Sequence, residues 1–181
     1  MIVFGSRQRL KNVDINSISV AGCEVQTVTS VGNIGVQLDS NMTMEHQVNK
    51  IVSTSWYHLR NIFQIRKYLT QSATECIVHA FISSRLDLNN AILFGLPSKL
   101  IQKLQTIQNA AARIVVQASK FTSAKPILEK LHWLPVDKRI EYKIILLAFK
   151  AIHGLTASYL KDLLVYLRFP TETSDTTKDY F

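Results

Sequence analysis

Residues 131–140 read Leu-His-Trp-Leu-Pro-Val-Asp-Lys-Arg-Ile and join two helical patterns, expected at about 123–132 and 136–153. Pro135 suits the start of the second helix, because its fixed φ and missing N–H are tolerated in a first helical turn. An apolar run follows at 144–149. The stretch therefore predicts a helix–turn–helix corner in which Trp133 is buried and Lys138 and Arg139 face solvent.

Helical periodicity continues on both sides of this corner. Residues 97–117 carry an apolar stripe, as do residues 43–67, where Trp56 is expected in the core. The order Ser72-Ala73-Thr74-Glu75 has the spacing of a capping box and predicts a helix start. A short helix is expected over 158–165. Ala110–Ala112 would let a neighbouring helix approach closely.

Residues 14–39 show a different pattern, with valine and isoleucine among glycine and serine. This predicts two or three short strands, with a tight turn at 21–23 and a bend near Asn33 and Gly35. We therefore expect a mainly α protein: a helical bundle with a small N-terminal β-hairpin or three-stranded element. The expected divisions are a β-rich part (1–41), a helical part (42–168) and a disordered polar tail (169–181).

Composition limits the class of protein. The chain has 181 residues, 47% of them hydrophobic, which is enough for one domain with a sizeable core. Its longest apolar stretches fall far short of the ~20 residues that cross a bilayer, and the first residues do not resemble a signal peptide. Cys23 and Cys76 are expected to be small buried hydrophobes. These features predict an intracellular protein, in nucleus or cytoplasm, that is neither secreted nor membrane-bound.

The net charge of +8 is concentrated in residues 43–168, which hold seventeen basic and seven acidic residues. A basic helical body suggests a polyanionic partner, namely RNA, DNA or an RNA–DNA hybrid, although a solvated basic face is the simpler interpretation for any single lysine. The candidate phosphate contacts are Arg66, Lys67, Lys99, Lys103, Arg113, Lys138, Arg139 and Lys143. Lys99 and Lys103 share a helix face, as do Arg139 and Lys143.

No catalytic pattern is recognisable. Two-metal phosphoryl transfer needs closely placed carboxylates, but no two of the thirteen acidic residues are adjacent. The six glycines form no phosphate-binding loop, and no histidine pair has zinc-ligand spacing around a glutamate. The sequence thus predicts no catalytic residue, no metal site and no cofactor.

The amino-acid sequence of the chain nevertheless resembles that of one family. The resemblance rests on the following segments: 31–46 (VGNIGVQLDS, then TMEH), 80–97 (AFISSRLD, then NAILFGLP), 104–113 (LQTIQNAAAR), the corner at 131–140, and 148–160. In this order they are similar to the C-terminal part of the reverse transcriptases of non-LTR (LINE-type) retrotransposons. The match covers about residues 2–165. Leu88 and Asn89 replace the family's usual Tyr-Cys, and the likeness stops after Leu167.

The resemblance implies that the β-rich start is the edge of a polymerase palm and that the helices are the thumb and the region beyond it. In that family this part holds the template–primer duplex, whereas the catalytic carboxylates lie upstream. The expectation is a truncated, non-catalytic fragment of an RNA-directed DNA polymerase that retains at most nucleic-acid binding. The alternatives are a helical protein-interaction module that uses exposed apolar faces, or a decayed fragment without a selected function.

Overall fold

The protein is mainly α-helical, with two small β-hairpins near its N-terminus. The structure, a computed structural model, describes residues 1–13 and 15–165, with side chains up to residue 162. The expected disordered tail at 169–181 lies outside the described residues. Contacts divide the chain into two compact units, Met1–Ile140 and Glu141–Phe181. The boundary expected between residues 41 and 42 does not coincide with this division.

A short helix α1 (Arg7–Leu10) precedes two antiparallel hairpins, formed by strands β1 (Ser17–Val20) and β2 (Cys23–Gln26), and by β3 (Ser30–Asn33) and β4 (Val36–Asp39). The tight turn expected at 21–23 is confirmed at Ala21-Gly22, and the bend expected near Gly35 is a second tight turn. Both residues of each two-residue turn have positive φ, the conformation whose twist matches that of paired strands. The β-rich part therefore holds four strands, in two separate two-stranded sheets, rather than two or three.

The carboxylate of Asp39 ends β4 and starts the first long helix, α2 (Glu45–Ile65). Its Oδ2 accepts from Thr43 N–H at 2.9 Å and its Oδ1 from Met44 N–H at 2.9 Å. Burial raises the pKa of this carboxyl, but these hydrogen bonds outweigh it, so the pKa lies below its ordinary value. The hydroxyl of Thr43 donates to Asp39 and accepts from Glu45 N–H at 3.4 Å.

Helix α2 packs most extensively against α5 (Ser98–Val116). The two helices run in the same direction, because Lys103 contacts Asn49 near their starts and Arg66 contacts Ile114 near their ends. The buried face of α2 is formed by Gln47, Val48, Ile51, Ser55, Leu59 and Ile62. That of α5 is formed by Leu100, Leu104, Ile107, Gln108, Ala111, Ala112 and Val115.

Between α2 and α5 lie shorter helical segments: a 3₁₀ turn (Arg66–Tyr68), α3 (Gln71–Val78), a π-helical turn (His79–Ser83), α4 (Ser84–Asp87) and a second 3₁₀ turn (Asn90–Leu93). The capping box predicted at Ser72 is wrong. Helix α3 begins at Gln71 and is capped by Thr70, whose hydroxyl accepts from Ala73 N–H at 3.2 Å. Threonine in the extended conformation is a favoured N-cap, and Thr70 lies two residues before the helix start that was expected at Ser72.

The predicted helix–turn–helix corner is confirmed between α6 (Ala124–Lys130) and α7 (Val136–Ile152). Trp133 is only 6% exposed. Two glutamines of α5 fix the backbone on either side of Pro135: Gln108 Nε2 donates to the carbonyl of Leu134 at 2.8 Å, and Val136 N–H donates to Gln105 Oε1 at 2.8 Å. The corner is therefore held by buried amides as well as by the apolar core.

The unit from Glu141 contains the rest of α7 and helix α8 (Ser158–Val165), as expected over 158–165. Gly154, with φ +69°, separates the two helices. No helix in the described part of the chain is long and apolar enough to cross a bilayer.

Three burial predictions are wrong. Trp56 is 42% exposed, and Cys23 and Cys76 are both exposed. Trp56 lies at the edge of the α2 stripe rather than at its centre. Cys23 lies on a two-stranded hairpin that has no covering layer, so its side chain faces solvent.

Candidate nucleic-acid interface

The eight predicted phosphate contacts occupy three different environments. Lys67, Lys99, Lys138 and Lys143 are exposed, Lys103 and Arg113 are half-buried, and Arg66 and Arg139 make contacts inside the protein. Lys143 belongs to the unit that begins at Glu141. The other seven candidates lie in the unit Met1–Ile140.

The prediction that Arg66 contacts phosphate has to be corrected, because its guanidinium is hydrogen-bonded inside the protein. It is 8% exposed. Its Nε donates to the carbonyl of Ile114 at 2.9 Å, its Nη2 to that of Val115 at 2.8 Å and its Nη1 to that of Leu69 at 2.7 Å. Ile114 and Val115 lie in the last turn of α5, where carbonyls lack helical partners and the helix dipole is negative. Arg66 therefore caps α5 and is not available to phosphate.

Arg139 is also a correction. Its Nη1 donates to Asp87 Oδ2 at 2.7 Å, its Nε donates to the carbonyl of Leu134 at 3.0 Å, and its side chain is 16% exposed. The pair joins α4 to the start of α7. Lys138 is more exposed, but its Nζ lies 3.9 Å from Asp137 Oδ2, so a carboxylate competes with any phosphate there.

Three of the predicted cations share one face of α5. Lys99, Lys103 and Arg113 lie within about 80° of one another around the helix axis, at 3.6 residues per turn. Lys103 Nζ donates to Asn49 Oδ1 of α2 at 2.9 Å, and Arg113 Nε donates to the carbonyl of Thr122 at 2.9 Å. Lys103 therefore lies at the junction of the two long helices, whereas Arg113 contacts the loop that follows α5.

A groove runs along this junction, with a volume of about 770 Å³. We call it the α2–α5 groove. Its aromatic lining is Trp56 and Phe63 of α2, and its cations are Arg66, whose guanidinium is bonded to backbone carbonyls, and Lys67, Arg113 and Lys120. Among the described residues, no aspartate or glutamate lines it. The groove is therefore positively charged at the end that holds Lys67, Arg113 and Lys120.

Two exposed aromatic rings adjoin the groove. Lys67 Nζ lies 4.8 Å from the ring centre of Tyr68, and Lys120 Nζ lies 4.9 Å from that of Phe121. Both rings are largely exposed, at 78% and 86%. The same end of the junction thus presents cations and flat apolar faces side by side, the combination that binds phosphodiester strands.

Sequence reasoning missed Trp56, Phe63 and Lys120 as part of a site. Trp56 and Phe63 were assigned to the core because they fit the apolar stripe of α2. Their spacing of seven residues was the available signal, since it places both on one line along the helix. Lys120 lies in the loop after α5, where periodicity carries no information.

A second groove lies beside the corner and has mixed charge. It has a volume of about 920 Å³ and is lined by Arg113, Lys125, Glu129, Trp133 and Asp137, among others. Its two carboxylates oppose binding of a polyanion. Within the described residues no group of three or more His, Cys, Asp or Glu side chains is placed to hold a metal ion.

His58 lies on the opposite side of α2 from the groove. Its ring stacks on Phe81 with centres 4.9 Å apart, and its Nε2 lies 3.3 Å from Arg85 Nη2. Burial and, next, the charge of Arg85 lower the pKa of His58 below its ordinary value. The histidine is therefore a packing group in its neutral form, as the sequence favoured.

Comparisons of this chain with models of known protein families, with curated proteins and with solved structures gave no match.

Proposed function

We propose that this protein binds nucleic acid through the basic face of α5 and the α2–α5 groove, and that it does not itself carry out polymerisation. The observation that carries the proposal is the groove: it combines cations with aromatic rings, and none of the described carboxylates lines it. Phosphate neutralisation with release of counterions provides the affinity.

The resemblance to reverse transcriptases of non-LTR retrotransposons supports the same function. In that family the region similar to this chain holds the template–primer duplex, whereas the carboxylates that bind the catalytic metals lie elsewhere. We propose that the chain has this ancestry and keeps the binding role. An RNA–DNA hybrid is accordingly the first ligand to test.

The number of available cations sets the expected salt dependence. Lys67, Lys99, Lys103, Arg113 and Lys120 give at most five phosphate contacts. On a duplex the slope of log K against log salt is then at most about −4.5, which corresponds to a loss of affinity of up to several hundredfold between 50 and 200 mM salt.

The test is filter binding of a 20-base-pair RNA–DNA hybrid over this salt range. Lys67 and Lys120 are both reversed to glutamate, and the matched control reverses the exposed Lys11 and Lys50, which do not line the groove. Both double variants have the same net charge. The groove variant is expected to reduce the salt slope by about 2, at about one phosphate contact per lysine, and the control variant to leave it unchanged.

Two results contradict the proposal. Absence of hybrid binding by the unaltered protein at 50 mM salt rules out a duplex-binding role. Equal losses in the groove variant and the control variant show that binding depends on overall charge and not on this surface.

The alternative function, a protein-interaction module, is favoured by one observation. Trp56 and Phe63 are exposed on one line of α2, a spacing that also suits an apolar anchor pair for a partner helix. Size-exclusion chromatography with light scattering distinguishes the two functions. Self-association that is lost in Phe63→Ser, together with no hybrid binding, supports the interaction module.

A further inference from the structure

We propose that the α2–α5 groove binds an unpaired nucleic-acid strand, with bases stacked on Trp56 and Phe63 and phosphates at Lys67, Arg113 and Lys120. The inference rests on the proposed nucleic-acid binding and specifies the form of its ligand. It differs from the duplex that the resemblance implies for the region as a whole.

The first argument is accessibility of the bases. In a duplex the flat faces of the bases are stacked and paired, so a protein reaches only their edges, the sugars and the phosphates. Aromatic side chains gain stacking energy only from bases that are unpaired. Trp56 and Phe63 line a groove between two helices, where a duplex offers them no flat surface.

The second argument is spacing. Trp56 and Phe63 are seven residues apart on α2 and therefore about 10 Å apart along the helix axis. Three stacked nucleotides of one strand rise about the same distance, at about 3.4 Å each. One strand lying along the groove can thus place bases at both rings.

The third argument is the arrangement of charge. Lys67, in the 3₁₀ turn after α2, and Lys120, in the loop after α5, both line the groove. Each of these lysines also lies over an exposed ring, Tyr68 or Phe121. Cations thus alternate with aromatic rings around one end of the groove, as a strand of alternating phosphates and bases requires. A volume of about 770 Å³ lies within the range of about 300–1,000 Å³ of sites that enclose small ligands, which fits individual nucleotides.

The test is fluorescence anisotropy of three labelled 15-nucleotide probes at 50 mM salt: an oligo(dT) strand, an abasic strand of the same length and charge, and a hairpin with the same number of phosphates whose loop nucleotides are abasic. An oligo(rU) strand serves as the RNA arm. The unaltered protein is expected to bind the strands with bases roughly five- to a hundredfold more tightly than the abasic strand, the effect of one stacked base.

The variants are Trp56→Leu and Phe63→Ala, with Tyr57→Ala as the matched control. Tyr57 is also an exposed aromatic residue of α2, but it does not line the groove. Each groove variant should lose roughly five- to a hundredfold of affinity for oligo(dT) or oligo(rU) and at most twofold for the abasic strand. Tyr57→Ala should change neither, and the circular dichroism of all three should match the unaltered protein.

The outcomes separate the two proposals. Equal affinity for oligo(dT), oligo(rU) and the abasic strand, or tighter binding of the hairpin that survives both groove variants, overturns the single-strand inference and leaves the proposed function in place. Absence of binding to every probe overturns both. If a variant is destabilised, quenching of Trp56 fluorescence in the unaltered protein decides, because Trp133 is buried and the only other tryptophan. Quenching by oligo(dT) or oligo(rU) but not by the abasic strand supports stacking, and its absence contradicts it.

Discussion

Replacing Arg66 by alanine should destabilise the protein strongly while leaving the groove lysines in place. The guanidinium donates to three backbone carbonyls. A hydrogen bond from a charged group contributes about 1.5 kcal/mol or more, which gives about 4.5 kcal/mol for three. The carbonyl of Ile114 also accepts from Gln117 N–H at 3.3 Å, and alanine frees the entropy of an ordered arginine. We therefore expect a loss of about 3 kcal/mol, a large part of the 5–15 kcal/mol typical of a domain.

Urea unfolding followed by far-UV circular dichroism measures this loss. At a typical slope of about 1.5–2 kcal/mol per molar urea, the midpoint should fall by about 1.5–2 M. Arg66→Lys keeps the positive charge near the end of α5, but an ammonium group lacks the planar, forked donors that bind three acceptors. We therefore expect about half the loss of stability. Arg60→Ala is the matched control on the exposed side of α2 and should stay within about 0.5 kcal/mol. If Arg66→Ala keeps full stability and instead loses nucleic-acid binding, Arg66 is a surface contact and the description of the α5 cap is wrong.

Three further substitutions test the packing of Trp133, the hydrogen bond of Gln108 and the helix cap formed by Asp39. Trp133→Ala should cost about 3–5 kcal/mol in urea unfolding, because it leaves a large cavity at the corner, and a loss below 1 kcal/mol would show that the ring is not packed. Gln108→Leu removes the donor to the carbonyl of Leu134 and should cost about 1–2 kcal/mol; an unchanged urea midpoint would contradict the amide bridge. The folded-state pKa of Asp39 is lowered, so its contribution is complete above the ordinary pKa of about 3.9 and is lost as pH falls through the lower folded-state value. Stability of the unaltered protein should therefore fall more steeply below about pH 4 than that of Asp39→Asn, and parallel pH profiles would count against the cap.

Helix periodicity predicted the centre of each buried stripe but not its width. On α2 Trp56 was expected in the core, but the structure buries its neighbour Ser55 and leaves Trp56 42% exposed. A residue at the edge of a stripe is buried only if a second neighbouring helix covers it. One sequence does not reveal which helices are neighbours, so the α2–α5 groove was not predictable from α2 alone.

Local signals predicted the turns and the corner better than the helix starts. Gly22 marked a tight turn and Gly35 a bend, and both lie in two-residue turns whose central residues have positive φ, a twist that matches the paired strands. Pro135 marked the start of α7 for an equally local reason. The start of α3 was misplaced because Thr70 and Ser72 are both competent caps, and the choice depends on whether the backbone of Thr70 is extended, as it is here.

The division of the basic residues between internal and surface roles follows from their chemistry. The two candidates that bind two or three internal acceptors each, Arg66 and Arg139, are arginines, whose forked donors allow this. The exposed candidates are lysines, which act as hydrated point charges. Charge counted from sequence therefore overstates the surface available to a polyanion wherever arginines lie near helix ends. A surface built mainly from lysines and aromatic faces neutralises phosphates and stacks on any base, so it binds strands without reading their sequence.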